Sequence, residues 1–245
     1  EKMMRKKQPA GTLESTFDAH FYPAIGISKV DLREKIDDFY ANIFPTLRPL
    51  TSPHPDARYV VEELFARGAT LVLASNPLFP RTAILQRLEW AGFPLEKYPF
   101  ALVPGFETFH YAKPNPAFFA ELLGQIGCPS QPAVMLGDDL DLDLLPSAQL
   151  GIPGFWLDPG KASLPDKAHS LSAAGDLRSF LPWAEEIAKQ FTELAPDTPS
   201  SLLHTLKATP AAIDSLSARC PSGSWATRPT PTEWSVSELL CHLRD

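Results

Sequence analysis

Apolar positions between residues 14 and 50 recur at helical spacing. Phe17, Phe21 and Tyr22 come first, then Val30, Leu32, Ile36, Phe39, Tyr40 and Ile43 on one face, until the breakers Pro45, Pro49 and Pro53 end the run. This predicts a small helical unit. From Pro55 onward the pattern becomes an alternation of helices and short buried strands. PDARYVVEELFARG reads as helix, ATLVLAS as strand, RTAILQRLEWAG as helix and PFALVPG as strand. NPAFFAELLGQIG is then helix, PAVMLGD strand, DLLPSAQLG helix, PGFWLD strand, and DLRSFLPWAEEIAKQF a closing helix. Such alternation predicts an α/β fold, a Rossmann-like parallel sheet covered on both faces. In such sheets ligands gather at the carboxyl ends of the strands. Ser75, Asp138 and the loop leading to Lys113 fall there.

After a Pro-rich linker, LAPDTPSS at residues 194–201, the character of the chain changes. SLLHTLKATPAAIDSLSA has amphipathic helical spacing, RPTPTEW reads as a turn, and SVSELLCHLRD opens a further helix with Ser235 as N-cap and Glu238 closing a capping box. The expected organisation is a helical cap at 1–52, an α/β core at 53–193, the linker at 194–201, and a partial helical segment at 202–245. Two helices leave apolar faces uncovered, so the last segment is expected to dock loosely on the core or to stay mobile.

Composition narrows the function classes only a little. With 245 residues and 44% apolar content, the chain can bury one sizeable core and part of a second. A formal charge of -7 and a pI near 5.4 provide no field that would gather nucleic acid or an anionic membrane. An anionic substrate must therefore be held by a few placed cations. Cys128, Cys220 and Cys241 are odd in number and widely spaced, which fits a reducing compartment and neither a disulfide framework nor a zinc site. No apolar run approaches a membrane span, and a cytoplasmic location is the expectation.

Three positions carry candidate chemistry. Asp138, Asp139, Asp141 and Asp143 crowd carboxylates directly after the apolar run AVMLG, and their repulsion needs a cation or solvent to relieve it. A helix N-terminus would stabilise one or two of them without a metal. Lys113 precedes Asn115, a candidate helix cap, and Pro116, a candidate first helical residue, so it is held just before a helix start where phosphate binds well. His110 and Tyr111 beside it read as packing or specificity residues. Ser75 follows an apolar run and precedes Asn76-Pro77, so its hydroxyl and the next amide are placed to meet a phosphate oxygen together.

In their order, LVLASNP, HYAKPNP and VMLGDDLDLD resemble the second, third and fourth motifs of the haloacid dehalogenase superfamily of phosphohydrolases. The resemblance implies that Lys113, Ser75 and Asp143 act in catalysis, that Ser75, Asn76 and Lys113 hold a small phosphorylated substrate, and that Asp138 and Asp139 bind Mg2+. It also implies a helical cap that selects the substrate. In the family an Asp-x-Asp strand supplies nucleophile and general acid before these motifs, and no such run precedes Ser75 here. The chain also opens on Glu1. It therefore reads as lacking that strand, which lies mid-sheet in the family, so a gap is expected between the strands ending at Ser75 and Gly137.

TPTEWSVSELLCHLRD is similar to the start of the DinB family of four-helix bundles, and this implies that His242 is a first metal ligand whose partners lie elsewhere. His204 is incidental. The function expected of the intact protein is Mg2+-dependent hydrolysis of a small phosphate ester through an aspartyl-phosphate, with this chain inactive by itself. Two alternatives stand beside it: a non-catalytic binding or regulatory module, and a metal-dependent, thiol-using transferase or isomerase centred on the DinB-like part.

Overall fold

The structure is a computed structural model that describes residues 1–128, 133–157, 160, 163–190, 198–221 and 223–244. Helices α1 (Leu13–Ile25) and α2 (Lys29–Asp38), followed by tighter and wider helical turns through Leu50, form the amino-terminal unit. Helices α3 (Ala57–Ala66), α4 (Arg81–Trp90) and α5 (Pro116–Gln125) follow, then strand β1 (Met135–Gly137), a short α6 (Leu145–Ala148), β2 (Gly154–Leu157), β3 (Ala173–Gly175) and α7 (Leu177–Gln190). Helices α8 (Pro199–Ser217) and α9 (Val236–Arg244) complete the chain.

Strands β1, β2 and β3 make a parallel sheet in that order, with Leu136 opposite Phe155 and Trp156 opposite Ala174. The two earlier apolar runs pair separately. Val72 and Leu102 form a lone parallel bridge, with the Leu73 amide on the Leu102 carbonyl at 3.0 Å and the Ala101 amide on Leu71 at 2.8 Å. Among the described residues no backbone hydrogen bond joins 71–75 to 135–137, so the sheet is split where the sequence anticipates a gap. This explains why the runs expected as full strands at 69–75 and 99–105 appear only as an extended pair. A two-stranded pair without a further neighbour is marginal, and Leu71, Val72, Leu73 and Ala74 all stay half-buried.

The largest apolar cluster lies around α5, where Phe118, Phe109 and Tyr111 are almost wholly buried. A second forms under β2 and α7 around Phe155 and Phe180, and a third under α4 around Ile84, Phe93 and Tyr98. Helix α1 is fixed to the loop before α5: the Leu13 and Glu14 amides donate to the carbonyls of Phe109 and Phe106 at 2.7 and 2.8 Å. Helix α2 departs from the expected amphipathic face. It buries none of its residues, and Val30 is 83% exposed, because the unit instead anchors through its end, where Phe44 stacks on Trp90 of α4.

Helix α8 departs from the loose docking expected of the carboxyl-terminal segment. Helix α8 lies against α5 with Ala208, Ala211, Ala212 and Ser215 buried, small residues one helical face apart that let two backbones approach closely. The Ser215 hydroxyl donates to the Thr108 carbonyl at 2.6 Å, and the Arg219 guanidinium donates to the Gln125 carbonyl at 3.1 Å. Its outer leucines, Leu202, Leu203 and Leu206, remain exposed. The Ser235–Glu238 capping box forms as expected, each residue's backbone amide donating to the other's side chain. The expected linker lies up to residue 197 outside the described residues.

Candidate functional site

Each expected motif reaches the same junction by local rules. Asn115 caps α5 by accepting the Ala117 amide at 3.0 Å, and Pro116 takes the first helical position, so the segment before it is held with Lys113 pointing off the helix start. The Asn76 side chain grips the backbone of Lys113 from both sides: its Oδ1 accepts the Lys113 amide at 3.1 Å and its Nδ2 donates to the Lys113 carbonyl at 3.4 Å. Lys113 in turn reaches Asp143, with Nζ 2.5 Å from Oδ1. Asp143 Oδ2 also accepts the Asp139 amide at 3.3 Å. Three segments far apart in sequence thus meet through Asn76, Lys113 and Asp143. Ser75 is half-buried and precedes Asn76 at the end of the extended run 71–75.

Lys113 and Asp143 are 8% and 4% exposed, so neither charge is well solvated and each neutralises the other. Gly137 is required beside them, because a Cβ there would stand 2.5 Å from the Asp143 Cβ and carboxylate. Part of the crowding of acids is relieved here by the Lys113 ammonium, part by solvent and part by a helical cap. Asp138 and Asp141 face solvent, and Asp139 is also exposed. The Asp139 carboxylate accepts the Asp141 and Leu142 amides, both at 2.9 Å, as the cap of the helical turn at Leu140–Leu144. The Asp138 carbonyl accepts the Trp156 indole N–H at 3.0 Å.

The fit to a metal follows from these commitments. Among the described residues no three His, Cys, Asp or Glu side chains are grouped to hold an ion. Asp143 is taken by Lys113 and Asp139 Oδ1 by its cap, which leaves the exposed Asp138 carboxylate and Asp139 Oδ2 open. A magnesium ion usually binds through one or two carboxylates with water and substrate phosphate, and among the described residues Asp138 and Asp139 offer such oxygens with no third ligand grouped beside them. His242 packs against Trp234, ring centres 4.9 Å apart, and stands in no metal cluster among the described residues. Burial lowers the pKa of His204, whose buried Nδ1 has no hydrogen-bond partner among the described residues.

Two hollows lie away from the junction. One is lined by Asp18, Tyr22 and Lys29 of the helical unit and the other by Phe44, Phe79 and Trp90, and neither includes Ser75, Lys113 or Asp138. The polar group that sequence reasoning missed is Glu121. It sits fully buried amid the apolar face of α5 and accepts the His110 and Tyr111 amides within 3.1 Å. An acid within AFFAELLGQ was the available signal.

With this geometry in view, comparison with known proteins decides the family. The model of the haloacid dehalogenase-like hydrolases matches residues 17–151, more than half of the chain. The chain belongs to this family. Its curated relatives include a ribulose-1,5-bisphosphate 5-phosphatase of Halopiger xanaduensis, 29% identical over 138 residues that make up 52% of this chain and 56% of that protein. A phosphoglycolate phosphatase of Rhodospirillum rubrum is 27% identical over 67% of this chain and 69% of its own length. One from Aquifex aeolicus is 29% identical over 46% and 53%. The chain thus spans just over half the length of two of these haloacid dehalogenase-like relatives. No solved structure matches the chain significantly. Among the described residues no helix is long and apolar enough to cross a membrane.

Proposed function

We propose that the intact protein hydrolyses a small phosphate ester at the Ser75–Lys113–Asp143 junction, using an aspartate nucleophile delivered by a strand that fills the open sheet position between 71–75 and 135–137. The observation carrying this reading is the Lys113–Asp143 pair, which the Asn76 clamp holds beside the end of that position. Lys113 Nζ would offset charge gathering on the phosphoryl oxygens, and Asp143 would fix where that cation stands. The Ser75 hydroxyl and the Asn76 backbone N–H would orient an oxygen. A covalent aspartyl-phosphate divides the displacement at phosphorus into two steps, and water completes the second. Magnesium enters this proposal only with the further carboxylates that such a strand would bring, beside Asp138.

Relatives named for phosphoglycolate and ribulose bisphosphate favour small, anionic, non-nucleotide esters as the substrate class. The helical unit at 1–52 is the proposed selector of that substrate. The DinB-like reading of 202–245 stands as a second proposal, in which α8 and α9 are the first helices of a further bundle. It is favoured by the apolar side chains that α8 and α9 leave exposed, Leu206 at 69% and Leu239 at 47%.

The test is to extend the chain at its amino terminus with an apolar strand ending in Asp-x-Asp and to assay an aryl phosphate with magnesium. Turnover is expected, and Lys113→Ala in the extended chain should lower kcat by about 100- to 1,000-fold, the scale of losing one preorganised charge donor. Turnover indifferent to Lys113 would remove it from the proposed role.

A further inference from the structure

The loop that presents Lys113 is tied to helix α8 through a buried histidine. His110, 1% exposed, has both ring nitrogens engaged by carboxylates: Nδ1 lies 2.8 Å from Glu121 Oε1 on α5, and Nε2 lies 2.9 Å from Asp214 Oδ2 on α8. Glu121 is fully buried and also accepts the backbone amides of His110 and Tyr111. One carboxylate therefore shapes the backbone two residues before Lys113. The Tyr111 hydroxyl donates to the Lys207 carbonyl at 3.1 Å, a second link from the same loop to α8. Helix α8 lies outside the 17–151 stretch that carries the family match.

We infer that His110 is a positioning residue for Lys113, and that Asp214 on α8 controls it by holding the imidazole charged against Glu121. This rests on the proposed phosphoryl-facing role of Lys113. A buried Glu121 needs a counter-cation, and a histidine with acceptors on both nitrogens donates to both only as imidazolium. The groups facing His110 are Glu121 from α5 and Asp214 from α8, and Lys6 Nζ donates to the His110 carbonyl at 3.1 Å. Burial works against the charged ring, yet Glu121 and Asp214 outweigh it and hold the His110 pKa above its ordinary value. Lys6 is itself partly desolvated, which lowers its pKa.

The sign follows from a raised folded-state pKa. The stability that His110 contributes is fully present below the ordinary histidine value and is lost as pH rises through the raised one. Asp214→Asn removes one carboxylate from an exposed side chain, so the fold should survive while the imidazole loses its proton at lower pH.

Amide hydrogen exchange, resolved by residue and corrected for intrinsic rates, tests the inference in the chain as it stands between pH 6 and pH 9. At pH 6 the variant is expected to show about tenfold lower protection of the Tyr111 and Lys113 amides than the wild type, the scale of one charge-assisted hydrogen bond. The difference should close toward pH 9. His110→Gln should show low, pH-independent protection at the same amides, with α3 and α7 unchanged. Equal protection in wild type and Asp214→Asn at every pH would overturn the inference, as would a difference that does not vary with pH. Neither readout involves phosphate or turnover, so failure of the phosphatase reading is seen separately.

Discussion

Replacing Lys113 by alanine is expected to destabilise the protein by about 3–5 kcal/mol, because Asp143 would remain a buried carboxylate without its cation. The two groups are 2.5 Å apart and 8% and 4% exposed, so solvent cannot substitute for the missing partner. Removing both charges together should be much less harmful. Lys113→Met with Asp143→Leu is expected to recover most of the loss, since two desolvation penalties disappear at once. Urea denaturation of wild type, Lys113→Met, Asp143→Leu and the double variant measures the coupling directly. A single-variant loss below about 1 kcal/mol, the range of exposed pairs, would show that the ion pair is not held in solution.

Gly124→Val is expected to cost about 2–3 kcal/mol and to loosen α8 selectively. A Cβ at this position would stand 2.7 Å from the Ala212 Cβ, so any side chain forces α5 and α8 apart, and overpacked cores lose energy on this scale. Separation of the helices would also strain the Ser215–Thr108 and Arg219–Gln125 contacts. Limited proteolysis within 198–217 should therefore accelerate in the variant, with α3, α4 and α7 unaffected. Equal cleavage rates in variant and wild type would mean that the close crossing contributes nothing to docking.

Much of the core was legible because its helices carry strong local signals. Helices α3, α4 and α5 fall where apolar spacing placed them, and the Asn115-Pro116 start of α5 follows directly from capping chemistry. Strand β3 was missed because AAG offers neither an apolar run nor β-branched residues. It exists through pairing with β2, a tertiary effect. The docking of α8 was missed although its small residues repeat at helical spacing. The face that packs on α5 is made of Ala208, Ala211, Ala212 and Ser215, residues too small and too weakly apolar to mark a core-facing stripe.

The site was legible as three motifs but not as a bonded unit. Ser75, Lys113 and the acidic run were singled out separately, while the pairing of Lys113 with Asp143 and the grip of Asn76 on the Lys113 backbone depend on the fold. Asn76 was expected to hold substrate. Its side-chain amide is also directed at the backbone of Lys113, a use that sequence spacing cannot reveal. The four clustered acids suggested a cation, and the fold meets most of that repulsion with solvent, one helical cap and one lysine.

In the proposed function this chain would carry the phosphate-binding half of a hydrolase site and take its nucleophile from a strand that enters the split sheet. Hydrolysis of an aryl phosphate by purified residues 1–245, with and without magnesium, tests it most directly. Without a covalent nucleophile only the modest rate from binding and electrostatics is available, so turnover near background is expected under both conditions. Robust magnesium-dependent turnover by this chain would contradict the claim and place the nucleophile among residues already present.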